Sequence, residues 1–496
     1  MKTIVLEHPR TPSKTHFNDI ANTPLWSCLM AGYAAAALRE RGMEVVLLDA
    51  RKRAFDDTAR EILGDQPEIL CIHAVYFWEE TPRLFDFIRT LRELGFSGHI
   101  NLFGFFPTLA WTNLLNAASE VDSISVGECE TTLCELAKSL SEGTQWRKVP
   151  GIACIHENAA GLFAHRIPAT DPDRFPCPDR QTAPSETVSV LASRGCYNQC
   201  RFCAVPAFDA GGARWRGRKP EKIVEEIAEL KEKGGEDFYF VDPNFIGPGR
   251  KGKLRALELA RLLEPLGITF GMETRANDLD LELIARLRSA GLRSLLIGIE
   301  SGSPDVLGKL AKGASIRTGE QAIEYCRAAG IEPEIGFLMF VPDSTVPDLS
   351  ANLAFLKRNR LLDRLDRTAN LLCHRQIVFM GTSGYRRFQA RGRVRATGCY
   401  GFQAKIRYLD ARVLWIARVM GHACLLVLEQ TGLTDSPLYW EKHDDWRRAG
   451  RINDYLVDLF HRLLEQVEAR GASPSAESWK QTIRAEISAY ISINCH

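Results

Sequence analysis

Three cysteines, Cys196, Cys200 and Cys203, stand in the stretch Cys196-Tyr197-Asn198-Gln199-Cys200-Arg201-Phe202-Cys203, which reads C-x3-C-x2-C. Thiolate is the usual ligand of iron–sulfur clusters. Three thiolates on one tight loop can hold three irons of a [4Fe–4S] cube and leave the fourth iron for a small molecule. A zinc site normally pairs its cysteines as C-x2-4-C, and no second pair follows at a matching distance. Three buried cysteines with no ligand are the plain alternative. The loop follows the apolar segment Thr187–Ala192, which reads as a strand and opens a strand–helix series.

With an aromatic before its last cysteine and Ser193-Arg194-Gly195 before its first, the motif resembles the signature of radical S-adenosylmethionine (SAM) enzymes. The resemblance implies that Cys196, Cys200 and Cys203 bind the cluster and that Phe202 lies by the adenine of SAM. It also implies that SAM chelates the open iron and is cleaved there to a 5′-deoxyadenosyl radical.

The elements after the loop must position that chemistry. Helices are expected over Glu221–Lys233 and Lys253–Leu263, and strands at Phe238–Val241, Ile268–Glu273, Leu295–Glu300, Ile335–Phe340 and near Leu371–Val378. The series fits an open (β/α)6 barrel, a partial TIM-type fold. Barrel active sites sit at the carboxyl ends of the strands, where Asp242, Asn244, Glu273, Arg275 and Glu300 stand. A carboxylate suits the ammonium or ribose diol of SAM, and an arginine suits its carboxylate. These five and Phe202 are the candidate SAM contacts; singly, each could equally be a strand-end ion pair. Gly298-Ile299-Glu300-Ser301-Gly302-Ser303 resembles the G-x-E-S-G-S/D segment of the same family, and no G-x4-G-K-S/T phosphate loop is present.

Residues 1–145 also alternate, with strands at Ile4–Leu6, Val45–Leu48, Ile69–Ile72, Ile100–Phe103 and Ser123–Val126 and helices near Trp26–Arg41 and Pro82–Leu94. Short apolar strands between amphipathic helices imply a doubly wound parallel sheet, whose ligands bind beyond the carboxyl ends of the strands. The region resembles the cobalamin-binding domain, Rossmann-like, that precedes the barrel in a large radical SAM subfamily. The features carried are Thr23-Pro24-Leu25, Gly104-Phe105-Phe106-Pro107-Thr108 and Gly127-Glu128-Cys129-Glu130-Thr131. One departure is Phe105, where a second glycine is common, so the approach to the corrin or its nucleotide tail differs locally. The resemblance makes Thr23, Gly104, Phe105, Thr108, Gly127 and Glu128 candidate cobalamin contacts. The D-x-H-x-x-G motif that brings a histidine to cobalt elsewhere is missing. The loop Tyr76-Phe77-Trp78 is therefore expected beneath cobalt, with no protein nitrogen coordinated and His73 turned away; core packing is the competing account of these aromatics. A nucleotide-binding or flavodoxin-like redox domain is the rival ligand class, but no G-x-G-x-x-G appears within residues 1–145.

Residues 146–186 read as a linker, with a small strand or two near Gly151–Cys154 and Leu162–His165 before the proline-rich Pro168–Pro184 segment, 187–380 as the radical SAM core and 381–496 as a helical domain closing over the active site. Helices are expected near Tyr408–Glu429 and Ile452–Ala469. Met380-Gly381-Thr382 resembles the P-G-T of relatives. His374, Gln376 and Tyr400 are candidate substrate contacts, with Trp440 and His443 more remote; each is more often packing.

A formal charge of +1 gives no electrostatic case for nucleic acid or an acidic membrane. The apolar stretch Leu414–Leu428 contains Arg418 and His422 and reads as a core helix, so no membrane insertion is expected. Fourteen cysteines and no secretion signal point to a reducing, cytoplasmic setting. The fold class is thus α/β, with three parts. The family resemblance implies three cofactors: a [4Fe–4S] cluster, SAM and cobalamin. It also implies an external electron donor of flavodoxin or ferredoxin type and a small-molecule substrate. The implied reaction transfers a methyl group from methylcobalamin to an unactivated carbon, or phosphorus, of a natural-product or cofactor precursor. Alternatives are oxidative cyclisation or ring rearrangement without methylation, an N-terminal domain that binds no cobalamin, and a non-catalytic iron–sulfur module.

Overall fold

The computed structural model describes residues 1–10, 29–155, 164–180, 187–209, 214–430, 450–470 and 476–494. Thr23, Trp440 and His443 lie outside them.

The N-terminal sheet is built from β1 (Lys2–Glu7), β2 (Glu44–Asp49), β3 (Ile69–His73), β4 (His99–Phe103), β5 (Ser123–Ser125) and β6 (Ile152–Ala153), in the order β2-β1-β3-β4-β5-β6. The first five are parallel, and β6 lies antiparallel on β5. Part of the stretch expected to be linker therefore closes this sheet. The strands read as nearly continuous apolar runs because helices cover both faces. Val5, Cys71 and Phe103 pack under the helices Leu29–Glu40 and Glu130–Ser141, and Ile4, Leu6, Leu70, Ile72 and Leu102 pack under the other three. The strand order reverses direction at β1 and β3, and the crevice beyond their carboxyl ends is where such sheets take ligands.

The central region starts with β7 (Val188–Val190), continues through a small antiparallel ladder of β8 (Ser193–Arg194) and β9 (Arg216–Gly217), and adds β10 (Asp237–Phe240), β11 (Thr269–Arg275), β12 (Leu292–Glu300) and β13 (Glu334–Phe337). Strands β7, β10, β11, β12 and β13 form one parallel sheet in that order. The sixth strand expected near Leu371–Val378 is instead the end of a helix, Leu365–Cys373. Leu365, Ala369 and Leu372 recur at helical spacing and are fully buried, so the helical period prevails there over the short apolar run. Only the bridge between Phe340 and Arg375 remains at the sixth position.

The C-terminal region is not purely helical. It begins with an antiparallel sheet of β14 (Val378–Phe379), β15 (Val394–Thr397) and β16 (Gln403–Ile406), followed by the helices Ala411–Gln430, Gly450–Arg470 and Ala476–Asn494. The first of these is long and apolar enough to cross a membrane by composition alone. It is a core helix here: Val413, Ile416, Ala417, Met420, Ala423 and Val427 are buried in the cluster that also holds Leu372 and Phe460.

Candidate functional site

Cys196, Cys200 and Cys203 follow β8 on one loop. Gly195 precedes them at φ +73, a left-handed conformation that favours glycine. A Cβ there would come within 2.6 Å of Asp209 Oδ2 and nearer still to the Arg214 carbonyl, so the loop can turn only at a glycine. The sulfurs have donors and cations around them. Asn198 gives its backbone N–H to Cys196 Sγ at 3.5 Å and its side-chain amide to Cys200 Sγ at 3.0 Å. Arg275 places Nη1 3.8 Å from Cys200 Sγ, with its guanidinium over the Tyr197 ring. Burial pushes the Cys203 thiol up to about 12 and raises Cys196 as well, so in this apolar setting the thiolates need cationic partners to persist. No group of three His, Cys, Asp or Glu side chains among the described residues is close enough to hold one metal ion. Three thiols on one loop, with N–H donors and two buried cations nearby, fit an anionic cluster bound through three of its irons.

The second cation is Lys312, which the sequence reading did not single out. Its Nζ lies 2.8 Å from Glu300 Oε1, and both side chains are buried. Glu300 sits at φ +75, and Gly298 beside it leaves the space: a Cβ there would be 2.7 Å from Lys312 Nζ. Arg275 joins the same corner, giving Nη2 to the Lys312 carbonyl at 2.7 Å. No sequence pattern marks Lys312, because it follows an ordinary helix, Pro304–Leu310, and is brought in by Ala311 at φ +53. The serines of the Gly298–Ser303 segment serve the backbone: Ser301 Oγ bonds Asn352 Oδ1 at 2.7 Å, and Ser303 caps Pro304–Leu310.

The other strand-end groups divide by accessibility. Asp242 is fully buried and uses both oxygens locally, accepting from Ala192 N at 2.9 Å and from Ser193 Oγ at 2.5 Å. It braces the start of the cysteine loop, and burial lifts its carboxyl to about 6. Asn244 is likewise spent: it accepts from Thr274 Oγ1 at 3.0 Å and donates to Asp278 Oδ2 at 3.0 Å. Glu273 keeps some exposure. Burial raises its carboxyl to about 7, with the Asp242 charge adding to the rise and the Tyr239 hydroxyl, 3.2 Å away, opposing it. Phe202 packs on the apolar cluster of Val306, Leu310, Leu338 and Val341.

The loop after β5 reaches the cysteine loop. Arg194, two residues before Cys196, pairs with Glu130 at 2.6 Å and Glu128 at 3.5 Å, and Arg216 pairs with Glu128 at 2.8 Å and Asp209 at 3.5 Å. The Arg194 guanidinium lies between the rings of Tyr33 and Phe175. Burial alone would raise Glu128, yet Arg194 and Arg216 hold its carboxyl below the usual range. Glu128 therefore ties the two domains together, while Gly127, at φ +84, gives its N–H to Thr108 Oγ1 at 3.0 Å.

At the carboxyl edge of the N-terminal sheet, Phe105 stacks on Phe208 at 4.2 Å. Tyr76 and Trp78 do not line an open face. Tyr76 packs among Trp78, Phe106, Phe379 and Phe402 and bonds Gln403 Oε1 at 3.2 Å, and Phe77 and Trp78 are buried. This aromatic layer joins the N-terminal domain to β14–β16, and Tyr400 enters it against Phe85. His73 is buried and pairs with Glu7 at 2.7 Å beside Gly104, whose φ is +118. A Cβ on Gly104 would stand 2.8 Å from His73 Cδ2, so glycine is what lets this turn pack against the imidazole. His374 ends the helix Leu365–Cys373, and the buried Gln376 leaves Oε1 without a partner among the described residues.

Residues 190–356 match the sequence profile of the Radical SAM superfamily. An uncharacterized methyltransferase, PH0819, from Pyrococcus horikoshii is 25% identical over 343 residues, covering 66% of this chain and 72% of that protein. An anaerobic magnesium-protoporphyrin IX monomethyl ester cyclase from Synechocystis is 28% identical over 307 residues, covering 59% of this chain and 60% of that protein. Among solved structures, the cobalamin-dependent S-adenosylmethionine radical enzyme OxsB with aqua-cobalamin bound superposes with a TM-score of 0.75 at 18% identity, over 99% of this chain and 75% of that one. Residues 190–356 thus resemble a radical SAM domain, and the chain as a whole has the fold seen in the OxsB structure.

Proposed function

We propose that this chain is a cobalamin-dependent radical SAM methyltransferase acting on an unactivated carbon, or phosphorus, of a small molecule. The observation that carries the reading is the junction of its two candidate sites. The cysteine loop and the loop after β5 are locked together through Arg194, Glu128, Glu130 and Arg216, which supports a reading in which the two candidate sites work together. When bound, the cluster and SAM supply hydrogen abstraction from carbon, and cobalamin supplies methyl carriage.

The chain's own residues provide position and charge. Cys196, Cys200 and Cys203 would hold iron, Arg275 offsets negative charge at the sulfurs, Lys312 pairs with Glu300 in the same corner, and Asp242 and Asn244 keep the loop in place. Glu273, partly exposed and close to neutral pH in its titration, is the carboxyl best placed to meet the amino group or ribose diol of SAM; Arg275 is the candidate for its carboxylate and Phe202 for its adenine. In this reading Gly104, Phe105, Thr108 and Gly127 are the candidate cobalamin contacts, the Tyr76–Trp78 segment supports them from the aromatic layer behind, and Gln376 and His374 are candidate substrate contacts. This reading requires an external flavodoxin- or ferredoxin-type reductant.

The test is product mass analysis after turnover with methyl-labelled SAM, reductant and cobalamin. Label in a new product supports methyl transfer. The identity to a ring-forming cyclase favours a second reading, oxidative cyclisation; SAM cleavage with product formation but no label in it would select that one.

A further inference from the structure

We propose that a cavity between the edge of the central region and the C-terminal helices binds a small phosphate-bearing anion, at a place separate from the cysteine loop and the strand-end carboxylates. The cavity has a volume of about 280 Å³. Arg375, Arg418, His422 and Lys480 supply its polar lining, and Val419, Trp479 and Ile483 its apolar lining. These come from three segments: the chain just after the helix Leu365–Cys373, the helix Ala411–Gln430 and the helix Ala476–Asn494.

Arg375 bridges Phe340 in parallel register at the sixth position of the barrel. Register partners in a sheet project to the same face, and Phe340 packs on Phe460 among the helices, with ring centroids 6.0 Å apart. Arg375 therefore points toward the helices, while its neighbours His374 and Gln376 project to the opposite face. Gly421 admits the guanidinium: a Cβ there would stand 2.6 Å from Arg375 Nη2. On a helix, positions 421 and 422 both lie beside 418, one turn on. Arg418 and His422 are the polar break in the otherwise apolar segment Leu414–Leu428, and this break is what faces the cavity.

No carboxylate among the described residues lines the cavity. Arg375 and Arg418 make no hydrogen bond or ion pair among those residues. Other arginines of the same region do: Arg364 pairs with Glu334 at 2.8 Å, Arg367 with Glu332 at 2.9 Å and Arg412 with Asp410 at 2.7 Å. Cations converging on one cavity repel one another, and an anion between them replaces repulsion by attraction. A guanidinium meets phosphate with paired N–H donors, and Lys480 adds a point charge. Arg375, Arg418 and Lys480 together suit a dianion better than the single charge of a carboxylate. Val419, Trp479 and Ile483 keep the local dielectric low, which strengthens the attraction. The ring of Trp479 is held in place by Trp415, 5.7 Å away and nearly perpendicular to it.

The test is calorimetric titration of the full chain with inorganic phosphate at fixed ionic strength, with chloride as the balancing anion. Saturable binding is expected. Arg375→Gln and Arg418→Gln should each weaken it at least about tenfold, the loss expected when a charge-assisted hydrogen bond is removed. Both side chains are exposed, so neither change disturbs the core. Arg261→Gln removes the same charge from an exposed ion pair with Glu258 on another helix and should leave the affinity unchanged. Acetate should bind more weakly than phosphate. In the unsubstituted chain, phosphate should also slow amide hydrogen exchange in Ala411–Gln430 and Ala476–Asn494 together. No binding above the chloride background, affinity unchanged in both cavity variants, acetate binding as tightly as phosphate, or slowed exchange confined to other segments overturns the proposal.

Discussion

Lys312 Nζ and Glu300 Oε1 meet 2.8 Å apart at the carboxyl end of β12, with side-chain exposures of 5% and 9%. Neither charge is solvated, and each is the other's compensation. The pair stands between the Gly298–Ser303 segment and the corner where Arg275 touches Cys200, so it connects the barrel wall to the cysteine loop.

Removing one partner leaves a buried charge alone, which costs about 3–5 kcal/mol in such pairs. Lys312→Met and Glu300→Gln should each lower unfolding free energy in urea by about that amount. The double variant should lie closer to wild type than the sum of the two. Additive losses would show that the two charges do not stabilise each other.

Asp242 acts on the cluster through the backbone. Asp242→Ala strands the Ala192 N–H in an apolar interior, at about 1–3 kcal/mol, and leaves the Ser193 hydroxyl only the Asn244 carbonyl as acceptor. Iron bound per chain after anaerobic reconstitution should fall, with Cys196, Cys200 and Cys203 all present. Asp242→Asn, which can still accept from the Ala192 N–H, should recover much of the iron. Full iron content in Asp242→Ala would leave Asp242 no part in shaping the loop.

Glu273 predicts a pH dependence. Burial raises its carboxyl from 4.5 to about 7 in the folded chain. The folded state therefore holds the proton more tightly than the unfolded state does. The stabilisation is complete below pH 4.5 and is lost as pH rises through about 7. Urea midpoints of the apo chain should decline over that window, and Glu273→Gln, with no proton to lose, should flatten the decline. Equal slopes for both chains would place the titration elsewhere.

The strands and helices on either side of the cysteines were legible because their apolar periods are strong; β10 to β13 lie within a few residues of their expected places. The small antiparallel sheet β14–β16 was not, since two of its strands have only four residues and the third has two, and their order depends on partners far along the chain. The cysteine ligands could be read because one loop supplies all three. Lys312 and the Glu7–His73 pair could not, because each is assembled from segments that only the fold brings together. Glu128 shows the opposite case: a recognisable motif marked it for a cofactor, while its carboxylate is bound by two arginines of the next domain.

That last contact yields a prediction about coupling between the domains. Arg194 is held by Glu130 at 2.6 Å and by Glu128 at 3.5 Å, and its guanidinium is sandwiched by Tyr33 and Phe175. It lies two residues from Cys196 in sequence, so it is anchored in the N-terminal domain while belonging to the cysteine loop. Arg194→Met would keep much of the stacked volume and remove the charge, leaving Glu128 with Arg216 alone and Glu130 with no cation at this contact. Buried glutamates that lose a partner either take up a proton or draw in water, and both loosen the packing around them. Amide hydrogen exchange in the apo chain should rise in two places at once, residues 127–131 and residues 195–203, while β1, β3 and β12 stay protected. Glu130→Gln, made in the other domain, should reproduce the rise at 195–203 to a lesser degree, because Glu128 still holds Arg194. Exchange that rises only in the segment carrying the substitution would show that the two loops open independently, and the link between the two candidate sites would then have to run through some other contact.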